Sequence, residues 1–201
     1  MTEKVQRKRR DILIKFLKYK KIKGRLLDIG CQNGDMCYIM HKEGFEVYGV
    51  DIDVECILKA KRKYPQITFK QADCGNKIPF PDEFFDVVWA GDVIEHVCNT
   101  DIFVNEVNRI LKKGGLFALS TLAHNVIKNI MIALFRFEEH FDPEFPHYRF
   151  YTFKSLKNVL EKRGFKIKKV KYIGRIWPFS NNMFIIAEKI LYKPVYSRYR
   201  F

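Results

Sequence analysis

The stretch 26–53 constrains the fold more than any other part of this 201-residue chain. A short apolar run ends in Asp28 and is followed by two spaced glycines, Gly30 and Gly34. After a helix-like segment, a second apolar run ends in Asp51. This order is typical of a strand, a tight turn, a helix and a second strand, which together form one βαβ unit of a nucleotide-binding sheet. Because glycine has no Cβ, the turn lets the backbone approach a ligand closely.

The position of Asp51 indicates what the unit binds. It follows Gly30 by about twenty residues, the offset at which an acid at the end of the second strand accepts hydrogen bonds from ribose hydroxyls. The pattern therefore predicts an adenosine-containing cofactor with Asp51 on its ribose.

The charges in the turn distinguish between cofactors. A nicotinamide cofactor is bound by G-x-G-x-x-G, with its pyrophosphate on the following helix N-terminus. This chain instead has Asp28-x-Gly30-x-x-x-Gly34, and Asp35 opens the helix. Two carboxylates repel a pyrophosphate, whereas they suit a ligand that carries an amine and a sulfonium. The pattern favours S-adenosylmethionine.

Four segments, in order, resemble the class I S-adenosylmethionine-dependent methyltransferases. They are the first motif (26–34), the acidic motif (47–53), the acid that this family places near the adenine amino group (71–74) and the fourth strand with the residues after it (84–97). The one departure is Gln32, where the family usually has glycine. The resemblance implies that S-adenosylmethionine is bound by Asp28, Gly30, Cys31, Gln32, Gly34, Asp51, Ile52, Asp73, Cys74 and Ala90.

The remaining periodicity predicts an alternating α/β chain in a single domain, 1–201. An apolar 3.6-residue period predicts the first helix, and two closely spaced strands at the end suit an antiparallel hairpin, because parallel neighbours need a long crossover. The expected fold is a doubly wound, mostly parallel seven-stranded sheet with an antiparallel C-terminal edge hairpin. The predicted strands are 25–29, 45–50, 67–70, 84–90, 115–121, 165–173 and 183–187, and the predicted helices are 3–20, 35–43, 53–63, 100–112 and 153–163. The Lys113-Gly114-Gly115 stretch is expected to end a helix and start a strand.

The segment 122–150 interrupts this alternation. Apolar pairs recur every three or four residues over 126–135, which predicts a helix, whereas Pro143 and Pro146 exclude one further on. In methyltransferases an insertion after the fifth strand commonly covers the substrate. The residues that follow, 147–152 and 156–165, resemble the ending of small-molecule methyltransferases of the ubiquinone-biosynthesis type. The alternative is a helix that packs against a neighbour or a dimer mate.

Three side chains after the fourth strand are candidates for catalysis. Asp92, Glu95 and His96 are spaced i, i+3, i+4, so in a helix they would share one face. We expect His96 and Asp92 to act in proton removal from a hydroxyl acceptor, with a divalent ion held by Asp92 and Glu95 as a further candidate. The alternatives are that Glu95 pairs with Lys112 or Lys113 and that His96 packs beneath the sheet edge.

The acceptor class follows mainly from a missing pattern. No Asn- or Asp-Pro-Pro-aromatic stretch follows the fourth strand, so the chain lacks the segment with which amino-group methyltransferases of nucleic acid bases grip a flipped base. We therefore expect a small-molecule or lipid-like acceptor, and the resemblance to ubiquinone-biosynthesis O-methyltransferases implies that it is methylated at oxygen. An inactive S-adenosylmethionine-binding module is the alternative.

The formal net charge of +14 has three explanations: attraction to nucleic acid, attraction to an anionic membrane surface, or a lysine-rich bias typical of some thermophile or AT-rich genomes. The basic residues are spread along the sequence, which favours charge on solvated faces, and no RNA-binding signature accompanies it. A peripheral membrane contact is suggested by the basic N-terminal helix and the aromatic segments 177–179 and 192–201.

Five cysteines without C-x-x-C spacing, and no signal peptide or apolar run long enough to span a bilayer, predict a cytoplasmic protein with reduced thiols.

Overall fold

The computed structural model describes residues 3–140, 149–174, 180–191 and 194. Strands and helices alternate through most of them. The elements are α1 (Glu3–Tyr19), β1 (Arg25–Ile29), α2 (Asp35–Lys42), β2 (Glu46–Asp51), α3 (Val54–Lys63), β3 (Thr68–Gln71), β4 (Phe85–Gly91), α4 (Thr100–Ile110), β5 (Leu111–Leu122), α5 (Val126–Phe135), α6 (Phe137–His140), α7 (Phe153–Lys162), β6 (Phe165–Gly174) and β7 (Ser180–Lys189).

The seven strands form one sheet in the order β3-β2-β1-β4-β5-β7-β6. Strands β1 to β5 pair in parallel, whereas β7 is antiparallel to both β5 and β6. The predicted fold class, with its antiparallel edge hairpin, is confirmed. The strand order reverses between β1 and β4, and ligands of such sheets bind where the carboxyl ends of these two strands meet.

The sheet is covered on both faces, which explains why its strands read as continuous apolar runs. In β4, Val87 packs into the cluster that contains Leu13 of α1, while Val88 packs into the opposite cluster with Phe103 of α4. Successive strand residues alternate between the two cores, as the pleat requires.

Helix α1 packs its apolar face on the sheet. Val5, Leu13, Phe16 and Leu17 are all buried there. This corrects the suggestion that the basic N-terminal helix docks on a membrane, because its apolar side is not available to lipid. The aromatic segment 177–179 and most of 192–201, on which the same suggestion depended, lie outside the described residues. Among the described helices, none has the length and hydrophobicity needed to span a bilayer.

Helix α4 ends earlier than predicted. Asn99 caps its start by accepting hydrogen bonds from the backbone N–H groups of Asp101 and Ile102, and the helix stops at Ile110. Leu111 is extended and pairs with Phe85 of β4, so β5 begins directly after the last residue of α4. The prediction that Lys113-Gly114-Gly115 separates helix from strand is therefore wrong, because these residues lie within β5.

The predicted helix in the insertion is present as α5. Its cap, Asn125, accepts a hydrogen bond from the backbone N–H of Lys128. No residue of α5 is buried. The proline-containing part of the insertion, 141–148, lies outside the described residues.

Candidate functional site

The loop after β1 adopts a backbone that explains its glycines. Gly30 and Gly34 have φ of 74° and 80°, in the left-handed region that glycine occupies without strain. A Cβ on Gly30 would also lie 2.7 Å from Cγ2 of Val93, so the loop packs closely against the turn that follows β4. Gln32 also has a positive φ, 48°. The departure from the family pattern thus keeps the loop conformation but places a side chain where glycine is favoured.

Asp51 holds this loop at the end of β2. Its Oδ2 accepts a hydrogen bond from the backbone N–H of Gln32 at 2.8 Å, and its Oδ1 accepts one from the backbone N–H of Asp53 at 3.0 Å. The carboxylate therefore fixes the loops after β1 and β2 relative to each other. It is partly exposed, which leaves room for a further hydrogen-bond donor.

Asp28 lies beneath the loop and not on its surface. Its side chain is buried, and the Cys37 thiol donates a hydrogen bond to its Oδ2 at 3.3 Å. The pKa of Asp28 is raised to about 7, mainly by burial. The hydrogen bond from Cys37 opposes the rise, and the charge of Asp51 adds to it. Burial also raises the pKa of the Cys37 thiol, so the thiol stays protonated and donates to Asp28.

The residues predicted to contact the adenosine form a more open surface. Ile52, after β2, is 65% exposed. Asp73, after β3, accepts hydrogen bonds from the backbone N–H of Gly75 at 2.8 Å and from Nδ2 of Asn76 at 2.7 Å. Burial raises the pKa of the neighbouring Cys74 to about 12, which keeps the thiol protonated.

A cavity of about 950 Å³ opens beside this surface, a size typical of small-molecule sites. It extends from the loop after β1 to the end of β4 and is closed on one side by the first half of α1. It is lined by Glu3, Val5, Gln6, Arg7, Arg9, Arg10, Asp28, Gly30, Cys31, Gln32, Asn33, Asp35, Met36, Ile39, Trp89, Gly91, Asp92, Glu95, His96, Leu122, Lys128 and Asn182. Half of the predicted cofactor and catalytic residues line it, whereas Gly34, Asp51, Ile52, Asp73, Cys74 and Ala90 do not. Ala90 is buried in the core, so only its backbone can face a ligand.

Asp92 is held by a buried arginine from α1. Nη1 of Arg9 lies 2.5 Å from Oδ2 of Asp92 and 2.6 Å from the Ser120 hydroxyl. The same hydroxyl donates to Oδ1 of Asp92 at 3.1 Å. Nδ2 of Asn182 donates to the same Asp92 oxygen at 3.4 Å. The Asp92 carboxylate thus joins α1, β5 and β7 at the wall of the cavity.

The residues after β4 form a turn and not a helix. Asp92 has a φ of 55°, and the backbone N–H of His96 donates to the Val93 carbonyl at 2.9 Å. The expectation that Asp92, Glu95 and His96 share one helical face is therefore wrong. Glu95 is buried, at 1% exposure, while its neighbour His96 is exposed at the edge of the cavity.

The environment of Glu95 is unusual for a carboxyl group. Its Oε2 is buried and forms no hydrogen bond within the described part of the chain, and leaving a buried acceptor unpaired costs about 1–3 kcal/mol. The pKa of Glu95 is raised to about 7, mainly by burial and also by the charge of Asp92, while hydrogen bonding by its own backbone, the Thr121 side chain and the Leu122 backbone opposes the rise. The suggested pairing with Lys112 is wrong, because that amine binds Asp86 at 2.7 Å.

The donor set at the end of β4 does not fit a metal ion. Asp92 is already ion-paired with Arg9, Glu95 is buried and His96 is exposed, although all three line the cavity. Across residues 3–140, 149–174, 180–191 and 194, no group of three or more His, Cys, Asp and Glu side chains could hold one. The divalent ion expected at Asp92, Glu95 and His96 is not supported.

Sequence reasoning missed Arg9, the residue that connects α1 to the site. A signal was present: Arg9 lies four residues after Val5 and four before Leu13, so it occupies the apolar face of an amphipathic helix. A charge at such a position is buried with a partner. Ser120, which accepts from Arg9, and Asn182, which donates to Asp92, were also missed, and nothing in the local sequence marks them.

Comparisons with known proteins agree with this geometry. A family model described as a methyltransferase domain matches residues 1–170. A ubiquinone biosynthesis O-methyltransferase from Bradyrhizobium sp. (strain ORS 278) is 36% identical over 110 residues, which cover 50% of this chain and 41% of that protein. A 2-methyl-6-phytyl-1,4-hydroquinone methyltransferase from Synechocystis sp. (strain PCC 6803) is 34% identical over 98 residues, covering 47% of this chain and 31% of that protein. The chain thus spans less than half the length of these two curated relatives.

A solved structure resembles the chain over most of its length. It is an S-adenosylmethionine-dependent methyltransferase from Methanosarcina mazei, which is 25% identical, has a TM-score of 0.66 and covers 83% of this chain and 92% of that one. The family model, the seven-stranded sheet and the turn after β1 all agree. The chain belongs to the S-adenosylmethionine-dependent methyltransferase family.

Proposed function

We propose that the protein transfers the methyl group of S-adenosylmethionine to an oxygen of a small-molecule or lipid-like acceptor. One observation carries the proposal: the cavity runs without interruption from the loop after β1, which the family uses for the cofactor, to three ionisable side chains at the end of β4. The names of the relatives, an O-methyltransferase and a hydroquinone methyltransferase, support a hydroxyl acceptor.

The predicted cofactor residues divide into two groups. Asp51, Ile52, Asp73 and Cys74 form the open surface at the ends of β2 and β3, and we assign them to the adenosine. The loop residues Gly30, Cys31, Gln32 and Gly34, with buried Asp28 below them and the Ala90 backbone beside them, are assigned to the methionine portion. Loop and cavity share residues, so a methyl group held at the loop faces the cavity.

S-Adenosylmethionine supplies a methyl group on a sulfonium, so the protein's main task is to align the acceptor. Alignment of this kind contributes about 7–11 kcal/mol. Asp92 serves this task as the anchor of α1, because its ion pair with Arg9 fixes the helix that closes the cavity. The sequence pattern assigns proton removal to His96, which lies at the cavity edge, and Glu95 lines the same cavity as the competing candidate.

Helix α5 is proposed to cover the acceptor. Leu122 and Lys128, which flank its start, line the cavity. Large apolar side chains of α5 and α6 are nevertheless exposed, from 43% at Met131 to 72% at Val126 and Phe135. Contiguous exposed apolar surface of this kind marks a contact site, and a hydrophobic acceptor at the cavity mouth would cover it. This feature supports the lipid-like class of acceptor.

A matched pair of acceptors tests the proposal. Phenol and aniline have the same ring and differ only in the nucleophile. The protein is incubated with S-adenosylmethionine carrying a ¹³C-labelled methyl group, and the product is identified by its carbon chemical shift. We expect a methoxy product from phenol and little product from aniline. An N-methyl product from aniline alone would overturn the oxygen assignment. Cofactor binding without product from either probe would support the binding module.

A further inference from the structure

Glu95 is a buried carboxyl group at the cavity, with one oxygen unpaired among the residues that the structure describes. It is 1% exposed, yet it lines the cavity. Its Oε2 lacks a hydrogen bond in the described residues. Native proteins pair nearly all buried polar atoms, so an unpaired oxygen on a residue that lines the cavity indicates where a ligand's polar group would lie.

The charged and titratable groups around Glu95 already have other partners. Arg9 is paired with Asp92, and the Tyr151 hydroxyl shares a hydrogen bond of 2.8 Å with Thr100. The charge of Asp92 acts on Glu95 from the same turn, and Glu95 in turn raises the pKa of Tyr151. No described cation forms an ion pair with Glu95 at salt-bridge distance, so its charged form has no counter-ion there.

The protonation behaviour of Glu95 suits proton transfer. Burial and the charge of Asp92 raise the pKa of Glu95 to about 7. A base is most efficient when its pKa lies near the working pH, because it is then both available and strong enough. His96 differs in placement, since it is exposed to solvent at the cavity edge.

We propose that Glu95, and not His96, takes the proton from the hydroxyl acceptor. The inference rests on the proposed function, because it needs an O–H nucleophile. In the step, the acceptor's O–H bond breaks and its proton goes to the Glu95 carboxylate. The oxygen forms a bond to the methyl carbon as the carbon–sulfur bond breaks, and that electron pair stays on sulfur. The products are a methyl ether, S-adenosylhomocysteine and protonated Glu95, which then releases its proton to solvent.

The test compares two phenols that differ in their need for a base. At pH 8, 4-nitrophenol is largely ionised and phenol is not. Wild type, Glu95→Gln and His96→Gln are assayed on both probes. Glu161→Gln on the exposed side of α7 is the matched control for the same chemical change. Binding of S-adenosylhomocysteine by each variant checks that the cofactor site is intact.

The expected result is a probe-dependent loss. Glu95→Gln should lower turnover of phenol about 10²–10⁴-fold, the usual contribution of a base, and turnover of 4-nitrophenol less than about tenfold. His96→Gln should lose less on phenol than Glu95→Gln. If Glu95→Gln does not fold, Glu95→Asp, which keeps a retracted carboxylate, should retain an intermediate rate on phenol.

Three results would overturn the assignment. Equal losses on both probes would make Glu95 a structural residue, and a larger probe-dependent loss in His96→Gln would return the role to His96. Both leave the proposed function standing, since the wild type still methylates phenol. A wild type that binds S-adenosylhomocysteine but methylates neither phenol would instead refute the hydroxyl acceptor, and the role of Glu95 would fall with it.

Discussion

The guanidinium of Arg9 on α1 lies 2.5 Å from the carboxylate of Asp92 at the end of β4, across 83 residues of sequence. Both side chains are largely buried, at 6% and 17% exposure. The pair fixes a terminal helix over the cavity that we assign to the acceptor, so one contact joins fold stability to the shape of the site.

Removing the cation should therefore be costly. Arg9→Met leaves Asp92 without its counter-ion in a largely buried place, and breaking a buried pair in this way costs roughly 3–5 kcal/mol. Urea unfolding should show this loss, and the double variant Arg9→Met/Asp92→Asn should recover part of it. Arg10→Met, at the next position with a half-exposed partner in Asp11, should change stability by less than about 0.5 kcal/mol. Equal effects at positions 9 and 10 would contradict the account.

The Gln32 backbone predicts a variant that stabilises the protein. Because Gln32 has a φ of 48°, Gln32→Gly should raise the free energy of unfolding by up to about 1 kcal/mol. Gln66→Gly, an exposed position without a positive φ, should lower it, because there glycine only adds freedom to the unfolded chain. Thermal melting distinguishes the two. A destabilised Gln32→Gly protein would show that the side chain itself has a structural role.

Local patterns predicted the cofactor side of the site well. The apolar runs, the glycines and Asp51 belong to one βαβ unit, so their geometry follows from residues close in sequence. The turn after β4 was predicted as a helix because only local spacing was used, and i, i+3, i+4 spacing fits a turn as well as a helix. Asn99, a cap residue followed by a helical pattern, places the helix start beyond His96. The Arg9–Asp92 pair depends on long-range packing, which spacing alone does not encode.

The raised pKa values of Asp28 and Glu95 predict how stability depends on pH. Burial moves the pKa of each from its ordinary value, 3.8 or 4.5, to about 7. Each group then contributes stability that is complete below its ordinary pKa and is lost as the pH rises through about 7. For Glu95 the loss is on the order of 3 kcal/mol.

Substitution by the neutral amide should remove this dependence. Wild type should lose unfolding free energy between pH 5 and 8, and Glu95→Gln and Asp28→Asn should each lose less across the same interval, as followed by urea unfolding. Parallel stability curves for wild type and both variants would show that these carboxyl groups are ionised in the folded protein.

The exposed face of α5 predicts a separation of binding from stability. Ile127 and Ile130 are 50% and 53% exposed, so Ile127→Ser/Ile130→Ser should leave the melting temperature unchanged. If α5 covers the acceptor, the same variant should raise KM for a phenol bearing a long alkyl chain more than KM for phenol. Leu58→Ser, which removes an exposed apolar side chain on α3, is the control and should affect neither KM. An unchanged KM ratio in the α5 variant would remove α5 from the acceptor site.

Calorimetric titration with S-adenosylmethionine tests the central claim most directly. Wild type should bind it, and Asp51→Ala should bind more weakly by roughly 1.5–3 kcal/mol, because the carboxylate both accepts from the ribose and holds the Gln32 loop. Asp73→Ala should lose less, and Glu55→Ala, an exposed acid on α3, should bind as wild type does. Unchanged affinity in a folded Asp51→Ala protein, or no binding by wild type, would contradict the placement of the cofactor at the ends of β1 and β2.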